Sequence, residues 1–332
     1  MSAPPSASSR PSDLALDVVV VGPLNIDLIV TGSAPHDVNA LVEWMALSDV
    51  ELNVAGSAGY PAQAFQKLGL RTGMLSIVAA DALGEVIRHE LKAHGLDVSR
   101  VRVAQNELSS IAIYMLLFGS KKRPLTGRPV QHQPWPAPLT AEDRAYAASA
   151  RLIHIAGYLH YPAMWDDDIP SLLREARARG QMVSLDPQFP LYPVEGRWLP
   201  GIERLLPHTR VLLVDQDEAR GITGLNDLNA AGAMLRAAGP DIVAIKRGSE
   251  GAVVYTGETV IEQPAQRVPE DEIADTIGAG DAFDAGFMAA LLHGRSAAEA
   301  VAFASEVAAQ SLRGHGAVRA LSPELPRRLS TP

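Results

Sequence analysis

Asp275-Thr-Ile-Gly-Ala-Gly-Asp281 (DTIGAGD) runs without a break into AFDAGFMAALLHG, residues 282–294. Phe283, Phe287 and Leu291, with Met288 and Leu292, recur at spacings of four, which marks one face of a helix. Gly294 supplies a stop signal for it. A Gly-Ala-Gly turn (Gly278, Ala279, Gly280) therefore stands at a helix N-terminus, with Asp281 just inside. Glycines let backbone N–H groups converge, and the helix end adds partial positive charge, so the natural guest is an anion such as phosphate. A carboxylate beside that guest can cap the helix, hold a metal, or take a proton from an attacking hydroxyl.

The rest of the chain has the composition of a soluble globular protein. Its 332 residues can bury a sizeable core, and 47% apolar with 20% charged residues is ordinary for a globular protein. A net charge of −9 argues against broad binding to nucleic acid or anionic membrane, yet a local backbone nest needs no net positive charge. The absence of cysteine excludes disulfides, thiolate metal sites and cysteine nucleophiles, and is compatible with a cytoplasmic setting. No apolar run reaches the length of a membrane span. Residues 1–15, opening MSAPPSASSRPS, read as a disordered tail.

DVVVVGPLNIDLIV (17–30) opens as a buried parallel strand, and Asn25 and Asp27 alternate on one face of its continuation. From Arg151 onward strands and helices alternate, as βαβ units do, which predicts a parallel sheet with helices on both faces. Ligands of such sheets bind beyond the carboxyl ends of the strands. Asn and Asp pairs, Asp186-Pro187, Asp215 and the KRGSEGA turn (246–252) all fall at such ends. Lys121, Lys122 and Arg123 read as a solvated hairpin tip, and His154 as a structural histidine.

DTIGAGDAFDAGF resembles the C-terminal signature of the ribokinase-like (PfkB) carbohydrate kinases, and the likeness extends from about Val18 to about Ala317. It implies an α/β fold of ribokinase type. A central, mostly parallel sheet is flanked by helices across residues 16–325, with a small β lid built within about 28–56 and 101–132. It implies an ATP- and Mg²⁺-dependent phosphotransferase acting on a hydroxyl of a small sugar or related polyol. Asp281 would be the general base and the amides of Gly278, Ala279 and Gly280 the anion hole. Asn25, Asp27, Gly56, Tyr60 and Gly157 would bind the acceptor. Lys246, Gly248, Gly251 and Thr276 would face the nucleotide. Glu218 and Asp215 would hold the metal through water. A monovalent cation such as K⁺ and a homodimer through the lid are further expectations of the resemblance.

AGSAGYPAQAFQKLG (55–69) resembles the family's second motif, GGxxxNxAxxxAxLG, with Gly56, Ala62, Leu68 and Gly69 in register. Ala55 replaces the first glycine, and Tyr60 stands where an asparagine usually contacts the sugar. Ala79 replaces a glycine of a further loop that keeps Asp81 and Gly84. Gln188 and Pro190 follow Asp186-Pro187 where the family often has asparagine and then arginine. Asp215 takes the asparagine's place in an NxxE-type motif, and Lys246 a threonine's place in T-x-G-x-x-G, where it could contact a phosphate. These departures keep two alternatives open: a nucleoside kinase of the same fold, and a catalytically weak ligand-binding or regulatory protein on a kinase scaffold.

Overall fold

A computed structural model describes residues 15–31, 37–40, 49–115, 125–127, 138–191, 194–257 and 259–330. The expected tail up to residue 14, the Lys121–Arg123 tip and the proline-rich stretch 133–137 lie outside these residues.

The chain opens with strands β1 (Leu16–Val21), β2 (Asn25–Thr31) and β3 (Asp49–Ala55), then helix α1 (Gly59–Lys67). Next come β4 (Thr72–Ala79), α2 (Ala82–Ala93), β5 (Asp97–Ala104), β6 (Ile111–Met115) and β7 (Leu125–Gly127). The alternating part follows: α3 (Ala141–Ala148), β8 (Ala150–Ala156), α4 (Asp168–Ala178), β9 (Met182–Asp186) and α5 (Leu199–Ile202). After these stand β10 (Val211–Asp215), α6 (Gln216–Thr223), α7 (Leu228–Ala237) and β11 (Ile242–Lys246). Strands β12 (Ala252–Tyr255) and β13 (Val260–Gln263) precede α8 (Ala279–Leu292), α9 (Ala297–Ser311) and α10 (Leu325–Ser330).

Among the described residues nine strands form one sheet, in the order β13-β12-β11-β10-β9-β8-β1-β4-β5. Every pairing from β11 to β5 is parallel, and β12 and β13 close one edge antiparallel. Side chains alternate across such a sheet, and β1 shows the consequence. Val18 and Val20 join the core with Phe65, Phe287 and Met288, whereas Val19 and Val21 join the opposite core with Ile169, Leu172 and Leu235. Helices thus cover both faces, as the alternating sequence predicts.

Helix α8 departs from the one-faced reading of its sequence. Residues 282–290 are all buried, so the helix is apolar around its whole circumference, the pattern of a helix inside the core. It packs between α1 and α9 on one face of the sheet, with Gly286 allowing the α9 backbone at Ala304 to approach. The Gly278–Gly280 turn is therefore anchored to a helix buried in the core.

A second sheet has the order β3-β2-β6-β7, and supplies the small sheet that the resemblance implies. β2 pairs antiparallel with β3 and parallel with β6. On its outer strand, Val50 is 60% exposed and Leu52 44%.

Candidate active site

One cleft of about 1710 Å³ runs between the small sheet and the carboxyl ends of β9, β10 and β11. The start of α8 forms its floor. Gly278, the N-cap, has φ 69°, the left-handed region that glycine enters without steric cost. An added Cβ there would lie 2.5 Å from Ala317 Cβ and 3.1 Å from the Tyr60 ring, so only glycine fits. The first amides of a helix have no intrahelical partner. Gly278, Ala279, Gly280 and Asp281 all line the cleft, and Gly280 is exposed to it. Asp275 holds the turn from behind: Oδ1 accepts from Ile277 N at 2.8 Å, and Oδ2 lies 2.9 Å from His315 Nδ1.

Asp281 is half-buried at the cleft floor. Burial and the nearby Asp186 carboxylate push its pKa up to about 8, against the pull of Lys246. A carboxyl tuned to that range is suited to proton transfer near neutral pH.

At one end, Asn25 and Asp27 enter from β2. Asp27 is 2% exposed; its Oδ1 accepts from Asn25 Nδ2 at 2.8 Å and its Oδ2 from the Tyr60 hydroxyl at 2.7 Å. Burial, then Asp27, hold the Tyr60 phenol well above its ordinary pKa, so it stays a donor. Gly56 lines the cleft beside Asn25. Gly157 does not line the cleft. It follows β8 with φ 72°, and a Cβ there would strike Ser57 Oγ at 2.3 Å, so its place in the site is structural.

The Asp186-Pro187-Gln188 loop is held by its own side chains. Gln188, at φ 55°, is one of the few non-glycine residues in the left-handed region. Its N–H donates to Asp186 Oδ1 at 3.0 Å, and its Oε1 accepts from Ser57 Oγ at 2.6 Å. The loop presents Phe189, 45% exposed, to the cleft wall, edge-on to His160 at 4.6 Å.

At the other end, Asp215 ends β10 and caps α6. Its Oδ1 accepts from Asp217 N at 2.8 Å and Glu218 N at 2.7 Å, while Glu218 Oε2 accepts from Asp215 N at 2.7 Å. This is a capping box, so the motif has a structural role whatever else it does. Each carboxylate spends one oxygen on the box, and both residues line the cleft. Burial, then Asp186 and Asp215, push Glu218 well above the usual carboxylate range, a cost that an arriving cation would offset. No group of three or more His, Asp or Glu side chains that could hold a metal occurs among the described residues. The pair fits a hydrated Mg²⁺ shared with phosphates, which needs few direct protein ligands. Thr276, Gly248 and Gly251 also line the cleft.

Lys246 is placed differently from the sequence expectation. It lines the cleft, but Nζ lies 3.2 Å from Asp186 Oδ2 and 3.0 Å from both Asp284 oxygens, all three groups being buried.

Residues 15–324 match the family described as pfkB family carbohydrate kinase. The chain belongs to this family. Among curated pfkB relatives, 2-dehydro-3-deoxygluconokinase of Bacillus subtilis (strain 168) is 29% identical over 279 residues, 81% of this chain and 84% of that protein. Ribokinase of Arabidopsis thaliana is 26% identical over 345 residues, covering 99% of this chain and 85% of that one. The nucleoside kinase of Methanothermobacter thermautotrophicus is 27% identical over 266 residues, 79% of each. The solved structure of Arabidopsis thaliana ribokinase complexed with ribose and ATP superposes with a TM-score of 0.76 at 22% identity. It covers 95% of this chain and 99% of that one, and establishes the ribokinase-like fold.

Within this pfkB frame the structure gathers Asn25, Asp27, Gly56, Tyr60, Asp215, Glu218, Lys246, Gly248, Gly251 and Thr276 around the 278–281 turn. The sequence reading missed Ser57, His160, Phe189 and Asp284. Asp284 carried one usable signal: it stands three residues after Asp281, on an adjoining face of the same helix. Phe189 and His160 carried none, because an aromatic in a loop and one near a strand end come together only in the folded chain.

Proposed function

We propose that this pfkB family kinase transfers the γ-phosphoryl group of ATP to a hydroxyl of a small sugar or related polyol, with Asp281 as general base. The observation that carries the reading is the geometry of the α8 start: a left-handed glycine, a helix N-terminus that lines the cleft, and a carboxyl of raised pKa inside the first turn. Bound ATP supplies the phosphoryl group, and Mg²⁺ offsets charge on its phosphates.

The chain's own residues do the rest. Asp27, fixed by Asn25 and Tyr60, accepts a hydrogen bond from the acceptor and orients it. Asp281 takes the proton of the attacking hydroxyl. The Gly278, Ala279 and Gly280 amides face the charge that develops on the transferred group. Asp215 and Glu218 turn their remaining oxygens to the metal's water shell. Thr276, Gly248 and Gly251 border the nucleotide. The small sheet acts as a lid that keeps water from the transfer. The exposed Val50 and Leu52 support a homodimer through that sheet. We keep a cytoplasmic setting and a K⁺ requirement as parts of the same reading, the latter tested by assaying in Na⁺ against K⁺.

A nucleoside acceptor is the second reading. Phe189, exposed to the cleft against His160, favours it because an aromatic edge and face suit a nucleobase.

The test is ATP consumption with Mg²⁺ against pentoses, hexoses, keto-sugar acids and nucleosides, with Asp281→Asn run beside the native chain. Acceptor-dependent ADP release that the variant lacks supports the base and selects the acceptor. Binding of ATP without turnover on any acceptor would replace the kinase reading with a regulatory one.

A further inference from the structure

Lys246 ends β11, and its side chain runs beneath the first turn of α8. A Cβ built on Gly280 would stand 3.5 Å from its Nζ, so the ammonium sits directly behind the anion turn, next to the residue before Asp281. An ammonium has three protons. Here one is directed at Asp186 Oδ2 and another at the paired oxygens of Asp284. A lysine so engaged does more than line the cleft as the phosphate contact that its place in the sequence suggests. It links three elements: the end of β9, the end of β11 and the body of α8.

The charges facing this spot are lopsided. Asp27 comes from β2, Asp186 from β9, Asp215 and Glu218 from the β10–α6 junction, and Asp281 and Asp284 from α8. His154 on β8 lies close as well, but burial pushes it down to about 4, and it stays neutral against Ser184. Among these groups Lys246 is the single standing cation. Burial alone would discharge it, yet Asp186 and Asp284 hold its pKa well above the ordinary value.

We propose that Lys246, pinned by Asp186 and Asp284, is a positioning residue for the base: its ammonium offsets the surrounding carboxylates and fixes the first turn of α8 behind the anion hole. The inference rests on Asp281 being the base. The direction of Asp281's titration agrees, since Asp186 raises it and Lys246 opposes that rise.

The test uses the full chain labelled with ¹³C at aspartate carboxyls, with the Asp281 resonance assigned by its loss in Asp281→Asn. Lys246→Met should move the Asp281 midpoint up by at least one pH unit, a tenfold change in its ionisation constant. Lys246→Met with Asp186→Asn should bring it back by half or more, because the second change removes the neighbouring carboxylate that raises Asp281. An unmoved midpoint in Lys246→Met overturns the proposal. So does a rise in KM for ATP with the midpoint unchanged, which would return Lys246 to phosphate contact. If Lys246→Met does not fold, Asp186→Asn alone decides: it should lower the midpoint, and no movement overturns the idea. Turnover by Asp281→Asn would defeat the base reading instead, a separate outcome from any of these.

Discussion

Tyr60 donates its hydroxyl to Asp27 across 2.7 Å, while the same ring lies against Gly278, where an added Cβ would be 3.1 Å from it. One aromatic residue thus joins the carboxylate proposed to orient the acceptor to the turn proposed to meet the phosphoryl group. The family's usual asparagine at this position carries an amide and no ring to fill that space. Tyr60 is 5% exposed and packs with Ile29, Ala55, Ile277 and Ala317. Its role is to hold Asp27, and stacking on a substrate ring is not what its hydroxyl and burial describe.

Tyr60→Phe keeps the packing and removes the donor. A lost hydrogen bond of this kind costs about 0.5–1.5 kcal/mol. The expected outcome is a slightly lower melting temperature and a rise in acceptor KM of roughly 2- to 13-fold, the same energy expressed as affinity. Tyr60→Asn should do far worse, since truncating a buried aromatic costs about 3–5 kcal/mol. Unfolding by urea and steady-state kinetics check both; equal stability of the two variants would contradict the packing argument.

Asp281→Asn should lower kcat by about 10²- to 10⁴-fold, the usual contribution of a positioned general base. It should not destabilise the fold. Asp281 has a folded pKa of about 8 against an ordinary 3.8, so the native state binds more protons than the unfolded chain between those values. Its stabilising contribution is full below the unfolded pKa and is lost as pH rises through about 8. The Asn variant escapes that loss. Its melting temperature should match the native chain's near pH 4 and exceed it progressively toward pH 8. A variant that melts lower at pH 8 would refute the raised pKa.

On the proposed mechanism the same carboxyl sets the pH profile of catalysis. A base works when deprotonated, so kcat/KM, which reports the free enzyme, should rise with pH and level off above about 8. This limb should vanish in what activity Asp281→Asn retains. A profile already flat from pH 6 to 9 would mean that Asp281 is ionised throughout, and that its surroundings are less desolvating than the geometry implies.

What could be read from the sequence follows from how local each feature is. DTIGAGD, the β1 run and the β–α alternation are contiguous patterns, and each reappears in the structure as a turn, a buried strand and a parallel sheet. The capping residues Asp215 and Glu218 are three apart and were equally visible. Lys246 was visible too, but not its partners: Asp186 is 60 residues away and Asp284 38, and only the sheet order brings them together. The same holds for the Ser57–Gln188 bond, which spans 131 residues and fixes the loop carrying Phe189. Gly157 falls outside the cleft lining: a glycine at a strand end serves a ligand or a neighbouring side chain equally well, and here the neighbour is Ser57.

Asp215 caps α6 and, on the proposed mechanism, also faces the metal's water shell, two roles that substitution can separate. Asparagine caps helices about as well as aspartate, whereas alanine loses the cap at about 1 kcal/mol. Asp215→Asn should therefore melt close to the native chain and yet need several-fold more Mg²⁺ for half-maximal activity, because a charge facing the hydrated cation is gone. Asp215→Ala should show the same Mg²⁺ shift together with the lost stability. Glu218→Gln should repeat the Mg²⁺ shift, and it should also stabilise the fold as pH rises, since the native Glu218 is held well above the usual carboxylate range by burial and by Asp186 and Asp215. Magnesium titrations of activity beside thermal melts distinguish the cases. If Asp215→Asn leaves the Mg²⁺ requirement untouched while Asp215→Ala only loses stability, then the residue is a helix cap, and the metal's water shell is held by Glu218 and the phosphates alone.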